Sequence, residues 1–181
     1  MADGQVEQIA SLLRERNALD ERIGAVIQRP MTSGHPGEWI AAQVFGIELA
    51  TSAVEAGIDG WFKAGPLHGR SVNVKWYLKR EGMLDLTEAP IPDYHLVLTG
   101  PTSAAMSSRG SLRPWCIAAV YLFDAKRLLE EQRARGVKIG TASSVRAAQW
   151  DAAEIYPRPS RNPALSVSPD QAALLRLFAP T

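Results

Sequence analysis

Residues 58–78 read IDGWFKAGPLHGRSVNVKWYL, and the reading of this stretch decides the fold. SVNVKWYL has the β-branched and aromatic character of a strand. IDGWF is a second strand candidate, and the Gly-containing segment GPLHGR between them is a turn. Together they predict a β-hairpin. Side chains two apart in a strand point the same way, so Asn73 and Lys75 share a face, and pairing of the two strands brings Asp59 alongside them.

Upstream of the hairpin, residues 36–45 carry Trp39, Ile40, Ala41, Val44 and Phe45 at helical spacing, with Gly46 as the stop. Glu38 sits in the first turn of that helix, on the edge of its apolar face. Earlier still, residues 6–28 lack Pro and place Val6, Ile9, Leu12, Leu13, Leu19, Ile23, Val26 and Ile27 at amphipathic spacing. Such a helix either packs on its own domain or pairs with a copy of itself. Pro30 closes it.

Downstream, YHLVLTG and WCIAAVYLF are short apolar runs that suit buried strands, separated by a loop-like stretch over 101–114. DAKRLLEEQRARG predicts a helix capped by Asp124 and ended by Gly136. A short strand or turn and a helix from Ser143 or Ser144 follow, then a Pro- and Arg-containing linker and a short helix capped by Ser168. The expected order is helix, helix, three strands, then strand and helix, with helical additions. This is an α/β class with a mixed sheet flanked by helices. It divides into an amphipathic helix over 1–30, a core over 31–156, and a linker with a terminal helix over 157–181.

Composition constrains the function. In 181 residues, 46 % hydrophobic and 22 % charged, there is room for one well-buried domain and an appendage. No apolar run approaches the roughly 20 residues that span a bilayer, and the start carries charges where a signal peptide is apolar, which predicts a cytoplasmic protein without a membrane partner. The single cysteine, Cys116, excludes an intramolecular disulfide and a cysteine-based zinc site. With a net charge of only +1, attraction to nucleic acid has to come from local clusters. Lys63, Arg70, Lys79, Arg80, Arg109 and Arg113 surround the predicted cleft and are candidates for phosphate contacts. His35, His68 and His95 lack the spacing of a zinc site.

Glu38, Asp59 and Lys75 are ionisable residues with apolar neighbours. Each has an ordinary explanation: Asp59 before Gly60 as a turn residue, Lys75 as an edge-strand lysine, Glu38 as a first-turn acid facing the helix dipole. Jointly they make a working arrangement for phosphodiester hydrolysis. Two carboxylates can hold Mg²⁺ with several of its waters, and a lysine beside them can order or deprotonate the attacking water.

The segments GEWIAAQVFGIELA, GIDGWF and VNVKWY, in this order, resemble the Glu, Asp and X-x-Lys elements of the PD-(D/E)XK phosphodiesterases, the restriction-endonuclease-like fold. The resemblance covers about half of the chain and rests on order, spacing and placement. It implies a core of helix, three strands, helix and strand, and a DNA endonuclease activity dependent on Mg²⁺ or Mn²⁺. It further implies metal ligation by Glu38, Asp59 and the Val74 carbonyl, with Lys75 as the catalytic lysine. Asn73 stands where the family carries Asp, Glu or Gln, and a neutral amide lacks the charge a divalent ion prefers. The alternatives are a catalytically silent nuclease-like module that binds nucleic acid or a partner protein, and a helical dimerisation or scaffold protein working through residues 6–28.

Overall fold

The computed structural model of the chain describes residues 2–32, 34–51, 57–102, 114–159 and 161–180. Arg109 and Arg113, and most of the loop that carries them, lie outside the described residues.

The predicted hairpin is the structural centre. Strand β2 (Gly60–Phe62) pairs antiparallel with β3 (Ser71–Tyr77), and a 3-10 turn at Gly65–Leu67 joins them. Helix α2 (His35–Phe45) precedes the hairpin, with Pro36 in its first turn, where a missing N–H costs nothing. Gly46 ends it in the left-handed conformation at φ 64°, and its N–H returns to the Ala42 carbonyl. Directly after Gly46 the chain forms a strand absent from the predicted order, β1 (Ile47–Leu49), which pairs with β2.

Past β3, the chain forms β4 (Met83–Leu84) and then β5 (Tyr94–Thr99), which lies parallel to β3. A parallel neighbour requires a crossover connection. Here residues 78–93 supply it with only β4 as regular structure, whereas the resemblance implies a helix within the core. β6 (Ala119–Asp124) adds antiparallel to β5. Helix α3 (Ala125–Ala134) follows at once, and the Asp124 carboxylate accepts the Arg127 N–H at 2.8 Å, as the sequence predicts.

The helix expected from Ser143 or Ser144 begins later. Ser143–Ser144 form β7, whose backbone pairs with β4, and helix α4 covers Ala147–Ala153. The following residues are β8 (Glu154–Tyr156), a buried strand paired with β6. Partner backbone left exposed at the edge of β6 overrides the helical reading of this short apolar segment. Helix α5 (Pro169–Arg176) closes the chain behind the predicted Ser168 cap, which forms a full capping box with Gln171.

The result is the predicted α/β class: a six-stranded mixed sheet in the order β1-β2-β3-β5-β6-β8, flanked by helices. Strand alternation sorts the core into two layers. Val72, Val74, Leu96, Leu98, Val120 and Leu122 pack beneath α2 and α5. Val97, Tyr121 and Phe123 pack on the opposite face with Leu128 and Trp150 of α3 and α4. Asn73 and Lys75 alternate with Val72 and Val74, so they project from this second face.

Helix α1 (Ala2–Ile27) stands apart from this packing. Ile27 at its end is buried, while Leu12 and Leu19 remain about half exposed, so self-packing is confined to the last turn. Among the described residues no helix is long and apolar enough to cross a membrane.

Candidate functional site

Short β2 creates the site. Asp59 immediately precedes it, with its N–H bonded to the Val72 carbonyl at 2.9 Å and its own carbonyl accepting the Ala50 N–H at 2.8 Å. Beyond this point β3 continues without its antiparallel neighbour, leaving the Val74 N–H without a ladder partner. The Asp59 carboxylate fills that role: Oδ2 accepts from the Val74 N–H at 2.7 Å and from Asn73 Nδ2 at 2.9 Å. N–H and C=O of a strand residue point to the same side, so the Val74 carbonyl also faces this uncovered edge.

One ordinary explanation of the sequence is thereby removed. Asp59–Gly60 is not a turn, because Gly60 belongs to β2; a side chain there would place its Cβ 2.2 Å from the Glu48 carbonyl oxygen. β3 lies between β2 and β5, yet its pairing with β2 stops at Val72, so at Lys75 the strand has an edge on that side.

Electrostatics distinguish the site from an ordinary surface cluster. Burial, and secondarily the negative charge of Glu38, raises the Asp59 carboxyl above its usual pKa; the Val74 N–H, Lys75 and Arg29 oppose this. Burial lowers the Lys75 ammonium below its usual value, opposed by Asp85 and Asp59. Among the described residues Lys75 forms no salt bridge, so its ammonium is held by field and packing, not by a contact partner. Opposed shifts on a neighbouring acid and base are a pattern that functional sites share with structural ion-pair networks.

Glu38 approaches from α2. Its carboxylate forms an ion pair with Arg29, contributed by the segment that follows α1. Glu38 and Asp59 are close enough to affect one another electrically, yet Arg29 already compensates one of the two charges.

His95 lies opposite Asn73 in the β3–β5 register and is buried. Burial, reinforced by the Lys75 charge, lowers its pKa to about 3, so the ring is neutral near pH 7. The Asn73 Oδ1 and His95 Nδ1 atoms are both buried without a hydrogen-bond partner. Buried polar atoms without partners are uncommon and costly in folded proteins. Both residues lie on the Lys75 face of the sheet, where the Lys75 charge acts on the His95 ring.

As donors for a hard cation, the Asp59 carboxylate, Asn73 Oδ1 and the Val74 carbonyl have the oxygen chemistry that Mg²⁺ takes. Among the described residues no group of three or more His, Cys, Asp or Glu side chains is arranged to hold a metal. With Asn73 Oδ1 buried and Glu38 paired with Arg29, the Asp59 carboxylate is the one charged donor this set offers a cation.

The structure thus brings Asp59 and Asn73 into contact, with Lys75 and Glu38 each near enough to act on the Asp59 charge. The basic residues are a different matter. Lys63 and Arg70 flank the turn end of the hairpin, away from Asp59. Arg70 bonds Asp93 at 3.2 Å, and Lys79 is paired with Glu81. Arg80 stacks over the rings of Tyr121 and Trp150 at 5.7 and 5.4 Å. His35 and His68 bond the Pro30 and Lys63 carbonyls at 2.8 and 2.7 Å. Arg29, Asp85 and His95 belong to the electrostatic surroundings that sequence reasoning missed. Arg29 and Asp85 reach the site through tertiary packing and leave no local signal, whereas His95 was accessible through strand pairing with Asn73.

No protein-family model matches the chain, and no curated protein matches it either.

Proposed function

We propose that the protein is a metal-dependent phosphodiesterase acting on DNA, with its site at the uncovered edge of β3. One observation carries the reading: a half-buried carboxylate that accepts the Val74 N–H and the Asn73 amide, its pKa raised, stands beside a half-buried lysine with a lowered pKa at the point where β2 leaves β3. Mg²⁺ or Mn²⁺ bound through Asp59, Asn73 Oδ1 and the Val74 carbonyl would supply Lewis-acid activation of water and of the phosphoryl oxygens. Lys75 orders the attacking water and, because burial weakens its hold on a proton, can accept one from it. In its protonated form it stabilises the charge that develops on the phosphate as the P–O bond breaks. Glu38 contributes as a further acid at the head of α2.

A second reading is favoured by the Arg29–Glu38 pair and by Asn73, which together reduce the negative charge available to a cation. In this reading the domain is a catalytically silent module that binds nucleic acid or a partner protein. Plasmid and single-stranded DNA incubated with Mg²⁺ or Mn²⁺ discriminate between them. The nuclease reading expects metal-dependent cleavage that falls by roughly 100-fold or more in Asp59→Ala and in Lys75→Ala, the usual scale for removing an acid–base group. Folded wild-type protein that cuts neither substrate favours the silent module.

A further inference from the structure

We propose that α1 is a dimerisation element, which pairs antiparallel with α1 of a second copy, each helix lying in the groove between the other's α1 and the sheet-bearing body. The inference is independent of the nuclease reading.

The exposed side of α1 is a seam and not a scatter. Ile9, Leu12, Arg16, Leu19, Ile23 and Val26 follow the alternating three-and-four spacing of a helix-pairing stripe. Its apolar members are 57, 51, 52, 37 and 65 % exposed in chain order. From Ile9 to Val26 the stripe runs about 26 Å, at 1.5 Å per residue. A groove of about 970 Å³ separates its later part from the body, and Trp39, Trp76, Trp115 and Phe178 form the far wall. An isolated helix with one apolar side facing such a groove lacks a layer of packing.

Charge determines whose helix fits and in which direction. With a two-fold axis between Asn17 and Ala18, antiparallel pairing sets Ile9 against the partner's Val26, Leu12 against the partner's Ile23 and Arg16 against the partner's Leu19. Glu15 then lies beside the partner's Arg22, and symmetry repeats this pair on the other side. Parallel pairing instead stacks Arg16 on itself and sets Glu15 against the partner's Asp20, both repulsive. Within the helix Arg16 is already answered by Asp20 at 3.6 Å, so its aliphatic stem can cover the seam. The arrangement closes without strain in topology: body, partner helix, own helix and partner body follow in sequence, and each groove is filled once.

Light scattering on the full chain during size exclusion tests the proposal. Wild type is expected at the mass of two chains, and Ile23→Glu at the mass of one. Glu15→Arg is expected to raise the dissociation constant roughly tenfold or more, and Glu15→Arg combined with Arg22→Glu to restore it to within a few-fold. These positions are exposed in the single chain, and circular dichroism verifies that each variant remains folded. A single-chain mass for wild type at tens of micromolar, a dimer that Ile23→Glu leaves intact, or a double variant as weak as Glu15→Arg overturns the proposal.

Discussion

Asp59 pays a folding cost for its position. Its carboxyl has a higher pKa folded than unfolded, mainly through burial, so the unfolded chain releases this proton first. The stabilising contribution of the protonated acid is present at low pH and is lost as pH rises through the folded pKa; at pH 7 the ionised group opposes folding. Asn retains an oxygen to accept from the Val74 N–H but carries no charge. Asp59→Asn is therefore expected to abolish the cleavage proposed above and to raise stability by about 1 kcal/mol, the common scale for relieving a destabilised functional group. Thermal melting at pH 7 measures it. A clear loss of stability would mean that the hydrogen bonds to Val74 and Asn73, at 2.7 and 2.9 Å, outweigh the burial of charge.

At the scale of elements, the site depends on how tightly β1 closes on β2. Gly60 permits that approach, because a Cβ there would stand 2.2 Å from the Glu48 carbonyl oxygen and 2.9 Å from the Ile47 side chain. The nearest atom is backbone and cannot rotate away. Gly60→Ala is expected to cost about 1–3 kcal/mol, the usual range for overpacking, seen as a lower urea midpoint. Because Asp59 is the adjacent residue and bonds to Ala50 beyond β1, the same substitution should reduce the proposed cleavage. Unchanged stability would show that β1 separates from β2 without consequence for the sheet. The docking of α5 is a comparable joint, in which Gln171 both completes the Ser168 cap and donates through Nε2 to the Val44 carbonyl of α2 at 3.0 Å.

For the whole molecule, acid stability follows from buried groups that must change charge on unfolding. His95 is the foremost. Its pKa is about 3 in the folded protein and near 6.5 unfolded, so between these values the unfolded chain binds the extra proton. Stability falls as pH drops below about 6.5, by up to about 1.4 kcal/mol per pH unit from this group, and the loss ends near its folded pKa. Asp93 adds in the same direction: hydrogen bonds from Ser71 and the charge of Arg70 hold its carboxyl below the usual range despite burial, and that stabilisation disappears on protonation. Asp59 works against both. Urea titrations at pH 7 and pH 5 should show a weaker protein at the lower pH, with a shallower dependence in His95→Gln. An equally steep dependence in that variant would assign the effect elsewhere.

The amino-acid sequence by itself determined the hairpin, helix α2 with its Gly46 stop, the Asp124 and Ser168 caps, and the shared face of Asn73 and Lys75. Each of these rests on short-range chemistry: strand alternation, helical periodicity, and side chains that bond backbone a few residues away. Tertiary structure alone decided the rest. β1, β7 and β8 are strands because partner backbone is available to them, not because their few residues announce it. Arg29 meets Glu38 because the segment after α1 folds back beside α2, and Asp85 influences Lys75 because the crossover loop returns past β3. Neither relation has a spacing to read. The exposure of the α1 seam is likewise a tertiary fact: periodicity defined an apolar face, and only the position of the body left that face without a layer to cover it.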